Sequence, residues 1–163
     1  MILHHTGVSG YQKQYQSVEN YHKENFGMKS SLGKYCCYTW FIEKDGQVIQ
    51  ARDPKEEGCH TIGANFEPAA CMAGNFSEEF PTIQQIEKVK DLSFKYPPLE
   101  FHREKQPGRI CPGTNIIVKS IFEPIKVLPD IEERKKMEAI KSQLSFIAEL
   151  VARLRFIINS LKK

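Results

Sequence analysis

The sequence predicts an α/β protein: a mixed central β-sheet flanked by helices, followed by a long C-terminal amphipathic helix. Three observations carry this. Runs rich in aromatic and β-branched residues, at 34–43 and 47–51, are joined across Asp45-Gly46, a pair that supplies the positive φ of a hairpin turn. Such runs alternate with stretches of helical periodicity, at 11–25 and from Pro81 onward. Beyond Pro129, Met137, Ile140, Leu144, Ile147, Val151, Leu154, Ile158 and Leu161 step by three and four residues, a heptad seam. Pro129 marks the boundary between two units, residues 1–128 and 129–163.

Taken in order, Met1 to His5 reads as a short buried strand. Side chains alternate across a strand, so only one of His4 and His5 faces a given site, and the other packs or makes a hydrogen bond. Tyr11 to Asn25 reads as a helix stopped at Gly27, with His22 on its surface. Lys34 to Glu43 is a strand, and Gln47 to Ala51 returns alongside it. Residues 53–66 read as a loop, and Ala69 to Phe76 as a central strand. Thr82 with Gln85 forms a capping-box pattern opening a helix. Its expected apolar side is Ile83, Ile86, Val89 and Phe94, and Tyr96-Pro97-Pro98 ends it. Leu99 to His102 is a short extended piece that delivers His102.

Composition narrows the class. The 163 residues are 40% hydrophobic and 26% charged, ordinary for a globular protein, and a net charge of +3 is too weak to argue for nucleic acid. No apolar run approaches the roughly 20 residues of a membrane span. Met1-Ile2-Leu3 shows no secretory signal, so the expectation is synthesis in the cytoplasm, with release by other means if the protein acts outside. Residues 130–163 hold eight Lys/Arg and five Asp/Glu, so the +3 resides there and the remainder is balanced. Such a basic amphipathic helix suits self-association, an anionic membrane surface or a partner protein. Five cysteines, an odd count without framework spacing, read as reduced thiols, with Cys36, Cys37, Cys59 and Cys71 packing in the interior.

The chemistry concentrates in Phe101-His102-Arg103-Glu104-Lys105-Gln106-Pro107-Gly108-Arg109-Ile110-Cys111. An imidazole and a thiol, folded together by a Pro-Gly turn, bind a borderline-soft ion such as Zn²⁺. His4-His5 at the other end offers a third ligand, and two His with one Cys leave a fourth position for water, the open arrangement of a catalytic zinc. The same residues also fit ordinary packing: a free Cys is often a small buried apolar group.

The order of several stretches resembles one family. These are Ile2-Leu3-His4-His5-Thr6-Gly7, Tyr21-His22-Lys23-Glu24, Tyr38-Thr39-Trp40-Phe41-Ile42-Glu43-Lys44-Asp45-Gly46, Gly58-Cys59-His60-Thr61-Ile62-Gly63-Ala64-Asn65, Ala73-Gly74-Asn75-Phe76, and His102-Arg103 through Cys111-Pro112-Gly113. Across about residues 1–115 the chain resembles the zinc N-acetylmuramoyl-L-alanine amidases, which include amidase-type phage lysozymes and are related to the peptidoglycan recognition proteins. The resemblance implies a zinc held by His4, His102 and Cys111, and it favours His4 over His5. It implies Tyr38 as the active-site tyrosine, Arg109 facing the reacting carbonyl, and His60 and Asn65 in a loop bordering the substrate groove. The implied substrate is peptidoglycan or its muropeptides, cut between the lactyl group and L-alanine, and the implied role is a lytic endolysin acting at the cell wall. A cytosolic recycling amidase and a non-catalytic peptidoglycan-binding module on the same fold are the alternatives. The chain departs from the pattern in three places: the loop from His102 to Cys111 is one residue longer, Phe101 stands where Gly often precedes the His, and the strand around Cys71 has no carboxylate.

Overall fold

The computed structural model describes residues 1–116 and 119–122. The heptad seam of 137–161, and with it the expected C-terminal helix, lies outside the described residues.

Five strands form one sheet in the order β3-β2-β4-β1-β5. They are β1 (Ile2–His5), β2 (Trp40–Ile42), β3 (Val48–Gln50), β4 (Ala69–Met72) and β5 (Glu100–Phe101). β1 runs parallel to both β4 and β5, β2 runs parallel to β4, and only β3 is antiparallel. The expected mixed sheet is therefore present. β4 is central and buried along its whole length, as its unbroken apolar run dictates. Asp45-Gly46 makes the expected hairpin: Gly46 has φ 82°, and Glu43 N donates to Gln47 O at 2.9 Å.

Strand alternation divides the sheet into two faces. Leu3, Trp40, Ile42, Ala70, Met72 and Phe101 pack on one face with Val89, Ile86 and Leu92 of α2 (Ile83–Lys95). Phe41 and Cys71 point the other way, with Cys36, Tyr15 and Val18, beneath α1 (Tyr15–Asn25). His4 pairs in register with Cys71.

Four expectations need correction. The strand expected over 34–43 is confined to Trp40–Ile42. Before it, the backbone is held by side chains of α1: the Glu19 carboxylate accepts Tyr35 N and Cys36 N, both at 2.7 Å, and His22 Nδ1 accepts Cys37 N at 3.0 Å. With its donors satisfied in this way, the segment has no ladder to join. α1 likewise begins four residues later than expected, because the buried Glu43 carboxylate accepts Gln14 N and Tyr15 N at 2.8 and 3.0 Å and anchors the helix start there.

The apolar side of α2 is also rotated. The Thr82–Gln85 capping box forms as expected, but Ile83 and Phe94 are exposed. The buried side carries Gln85 and Val89, because Gln85 Nε2 donates to Ala73 O at 2.8 Å and its Oε1 accepts Thr82 N. A buried amide satisfied at both ends fixes the helix rotation.

The fourth correction concerns sulfur. Cys37 and Cys59 form a disulfide across 22 residues, not a pair of packed thiols. Cys36 and Cys71 are free and buried, as expected.

Candidate metal centre

Two segments deliver the three sequence-predicted ligands to one corner. His4 sits near the carboxyl end of β1 with 1% of its surface exposed. His102 follows directly on β5 and opens the single turn α3 (His102–Lys105). Cys111 lies in the turn that follows, held by its backbone: Arg103 N donates to Cys111 O at 3.0 Å, and Arg103 Nη1 donates to Gly113 O at 2.9 Å. Gly113 has φ 113°, and any Cβ there would meet the backbone of Phe76 at 2.4 Å, so only glycine lets the turn lie this close.

One nitrogen of each imidazole and Cys111 Sγ all lie within 4.8 Å of one another. The His4 and His102 rings are 4.4 Å apart between centroids. His4 Nδ1 is 3.7 Å from Cys111 Sγ. Ligands about 2.05 and 2.3 Å from a tetrahedral Zn²⁺ would be separated by about 3.6 Å, so this pair is spaced for such an ion. Among the described residues this is the one group of three ligating side chains so arranged.

The electrostatics also fit a cation. Burial, reinforced by His60 and His102, holds His4 well below the usual imidazole range, so it is neutral with a lone pair to give. Burial pushes the Cys111 thiol up to about 11, against the pull of His5 N–H, Arg103 and Arg109. Its thiolate form thus calls for a further positive charge nearby, which a bound dication would provide. His102 Nε2 lies 2.5 Å from Gln106 Oε1, an acceptor, which leaves Nδ1 as the free lone pair.

The His4-or-His5 question resolves by strand alternation. His5 turns to the other face, where its Nδ1 accepts Phe76 N at 3.1 Å. It still reaches the centre through its backbone, as His5 N lies 3.4 Å from Cys111 Sγ.

Tyr38 stands beside the ligands, its ring 5.1 Å from His4, 6.2 Å from His60 and 5.5 Å from His22. Burial, then the neighbouring sulfurs of Cys71 and Cys111, keeps its phenol protonated far above the usual range. Arg109 is exposed and lines a shallow cleft of about 380 Å³ with Arg103, Ile110 and Thr114, close enough to depress the Cys111 thiol. His60 and Asn65 are turned into their own loop. Asn65 Oδ1 accepts the N–H groups of His60 and Thr61 at 2.9 and 2.8 Å, and both His60 ring nitrogens have protein partners.

The sequence pattern placed His22 on the surface, and the structure buries it at 7% exposure. Burial outweighs the attraction of Glu19 and lowers it to about 4. With Tyr38, Thr6, Ser17 and Tyr21, it lines a cavity of about 480 Å³ beside the centre. Thr61, which nothing in the spacing singles out, lies with its hydroxyl 3.3 Å from His4 Nε2.

No protein-family profile matches the chain, and no curated protein matches it in sequence. Solved structures do. N-acetylmuramoyl-L-alanine amidase LysC from Clostridium intestinale superposes with a TM-score of 0.60 at 27% identity, over 74% of this chain and 79% of that one. The chain has the fold shared by N-acetylmuramoyl-L-alanine amidases and peptidoglycan recognition proteins. An endolysin amidase, LysCS, from the same organism superposes equally well at 26% identity, over 74% and 78% of the two chains. Peptidoglycan recognition protein-LE, solved with tracheal cytotoxin, shares the fold at 19% identity and a TM-score of 0.60, over 82% of this chain and 83% of that one. This likeness agrees with the order of motifs read from the sequence. Among the described residues, no helix is long and apolar enough to cross a membrane.

Proposed function

We propose that this chain is a zinc-dependent N-acetylmuramoyl-L-alanine amidase that cuts peptidoglycan between the lactyl group and L-alanine, as an endolysin acting at the cell wall after release. The observation that carries the reading is the convergence of His4, His102 and Cys111, whose ligand atoms lie within 4.8 Å of one another. A module that only binds glycopeptide has no use for such a cluster.

When bound, zinc supplies Lewis acidity: it activates water and polarises the amide carbonyl. The protein's own groups divide the remaining work. Two neutral imidazoles and one thiolate leave a net +1 on a site holding a dication, which favours negative charge developing on the substrate oxygen. Tyr38 sets a protonated phenol beside the candidate ligands, its ring 5.1 Å from that of His4, from where it would serve as a hydrogen-bond partner of the nucleophilic water. Arg109 adds a permanent cation on the Cys111 side. The cavity beside Tyr38 contains no formally charged wall residue, since His22 is neutral above about pH 4. It suits an uncharged stretch of the stem, such as L-alanine and its amide. Neither His60 nor Asn65 is among the residues lining this cavity.

The test is clearance of purified sacculi, with and without chelator, alongside cleavage of soluble muropeptides. The expected result is chelator-sensitive clearance that zinc restores. Cleavage of muropeptides with sacculi untouched would replace the endolysin role by recycling. Zinc binding without cleavage of either would favour the binding module.

A further inference from the structure

The loop at 58–67 contains a hydrogen-bond chain that ends on the metal centre. His60 Nε2 lies 3.1 Å from Glu67 O. A carbonyl only accepts, so Nε2 carries a proton and donates it. In the neutral imidazole with Nε2 protonated, Nδ1 is the acceptor. That nitrogen is 3.0 Å from Thr61 Oγ1, which must then donate its single proton there. The same oxygen is 3.3 Å from His4 Nε2 and has only lone pairs left for it. His4 must therefore be protonated at Nε2, with its Nδ1 lone pair free on the side of Cys111. One backbone carbonyl sets the proton positions along three side chains.

The loop is built to hold this geometry. Thr61 is 2% exposed. Gly58 N donates to Asn65 O at 2.8 Å, Ala64 N donates to Thr61 O at 3.0 Å, and Cys59 is tied to Cys37. A Cβ at Gly58 would meet Cys37 O at 2.4 Å, so the loop backbone lies directly against the segment leading to Tyr38.

We propose that Thr61, backed by His60 and Glu67 O, is a positioning residue that selects the tautomer and ring orientation of His4 needed to hold a metal ion. This rests on the metal-site reading above and deepens it. It gives His60 a part in the site that does not require contact with substrate.

Two measurements test it. Long-range ¹H–¹⁵N correlation spectra of the metal-free wild type report the tautomer of each histidine. The expected pattern is Nε2–H for His4 and for His60, and an Nδ1–H signature at His4 overturns the proposal without any variant having to fold. Competition with a chromophoric chelator then gives Zn²⁺ affinity for wild type, Thr61→Val and Thr61→Ser. Valine keeps the shape and removes the hydroxyl, and is expected to weaken binding about 10- to 100-fold, while serine restores most of it. Equal affinity in the valine variant overturns the positioning role and leaves the amidase reading standing. A wild type that binds no zinc overturns both.

Discussion

The two faces of the sheet are held by different kinds of interaction. Under α2, Trp40, Met72, Val89 and Phe101 form an apolar core whose one buried polar guest, Gln85, is satisfied at both ends. Under α1, the order comes from a few side-chain acceptors: Glu43 takes the first N–H groups around the helix start, Glu19 takes Tyr35 N and Cys36 N, and His22 takes Cys37 N. The candidate ligand His4 and Tyr38 belong to this second face. Apolar packing is tolerant of small shifts, whereas directional bonds fix positions to a few tenths of an ångström. The α2 face supplies stability, and the α1 face supplies the placement on which a site depends.

Substitutions can break that division. The largest effect is expected from Cys111→Ser, which should take hydrolysis of muropeptides to the assay background and abolish stoichiometric zinc binding, with the thermal midpoint of the metal-free protein nearly unchanged. A large loss of apo stability would mean that the centre also holds the fold together. Met72→Ala, in the apolar core, should cost roughly 2–5 kcal/mol in urea titration while the folded fraction keeps its zinc affinity. A fall in affinity parallel to the fall in stability would erase the distinction between faces. Glu43→Ala removes one carboxylate that serves two buried donors, and should cost roughly 2 kcal/mol, together with a measurable change in KM through the displaced α1.

The smallest effect is a pH dependence confined to the α1 side. His22 titrates near 6.5 when unfolded and about 4 when folded, chiefly through burial. Its folded value is the lower one, so the unfolded chain binds more protons between these limits. Its contribution is complete above about pH 6.5 and is lost as the pH falls towards 4. Urea midpoints of the apo protein should therefore decline over that window, and His22→Asn, which keeps an acceptor for Cys37 N, should make the decline shallower. An unchanged slope would remove His22 from the account.

The apolar face was largely legible in the sequence because it is written in local patterns. Aromatic and apolar runs mark β1, β2 and β4, Asp45-Gly46 marks the hairpin, and Thr82 with Gln85 marks the start of α2. The convergence of His4, His102 and Cys111 was legible because imidazole and thiol side chains carry their chemistry with them. What escaped was set by distant partners. Ile83 and Phe94 look like core until Gln85 finds Ala73 O and turns the helix. Lys34 to Thr39 look like strand until Glu19 and His22 capture their donors. The Cys37–Cys59 bond and the contact of Thr61 with His4 join residues 22 and 57 positions apart, and no short-range pattern announces either.

The ordering β4-β1-β5 has a consequence in time. Strand β1 is made first and waits in the middle of the sheet for its last neighbour, β5, and Cys111 is 107 residues behind His4. A nascent chain stopped anywhere before residue 111 lacks the thiol of the candidate centre. On the amidase reading proposed above, the capacity to hold the ion would arrive late and all at once, and unfinished copies would be inert towards peptidoglycan.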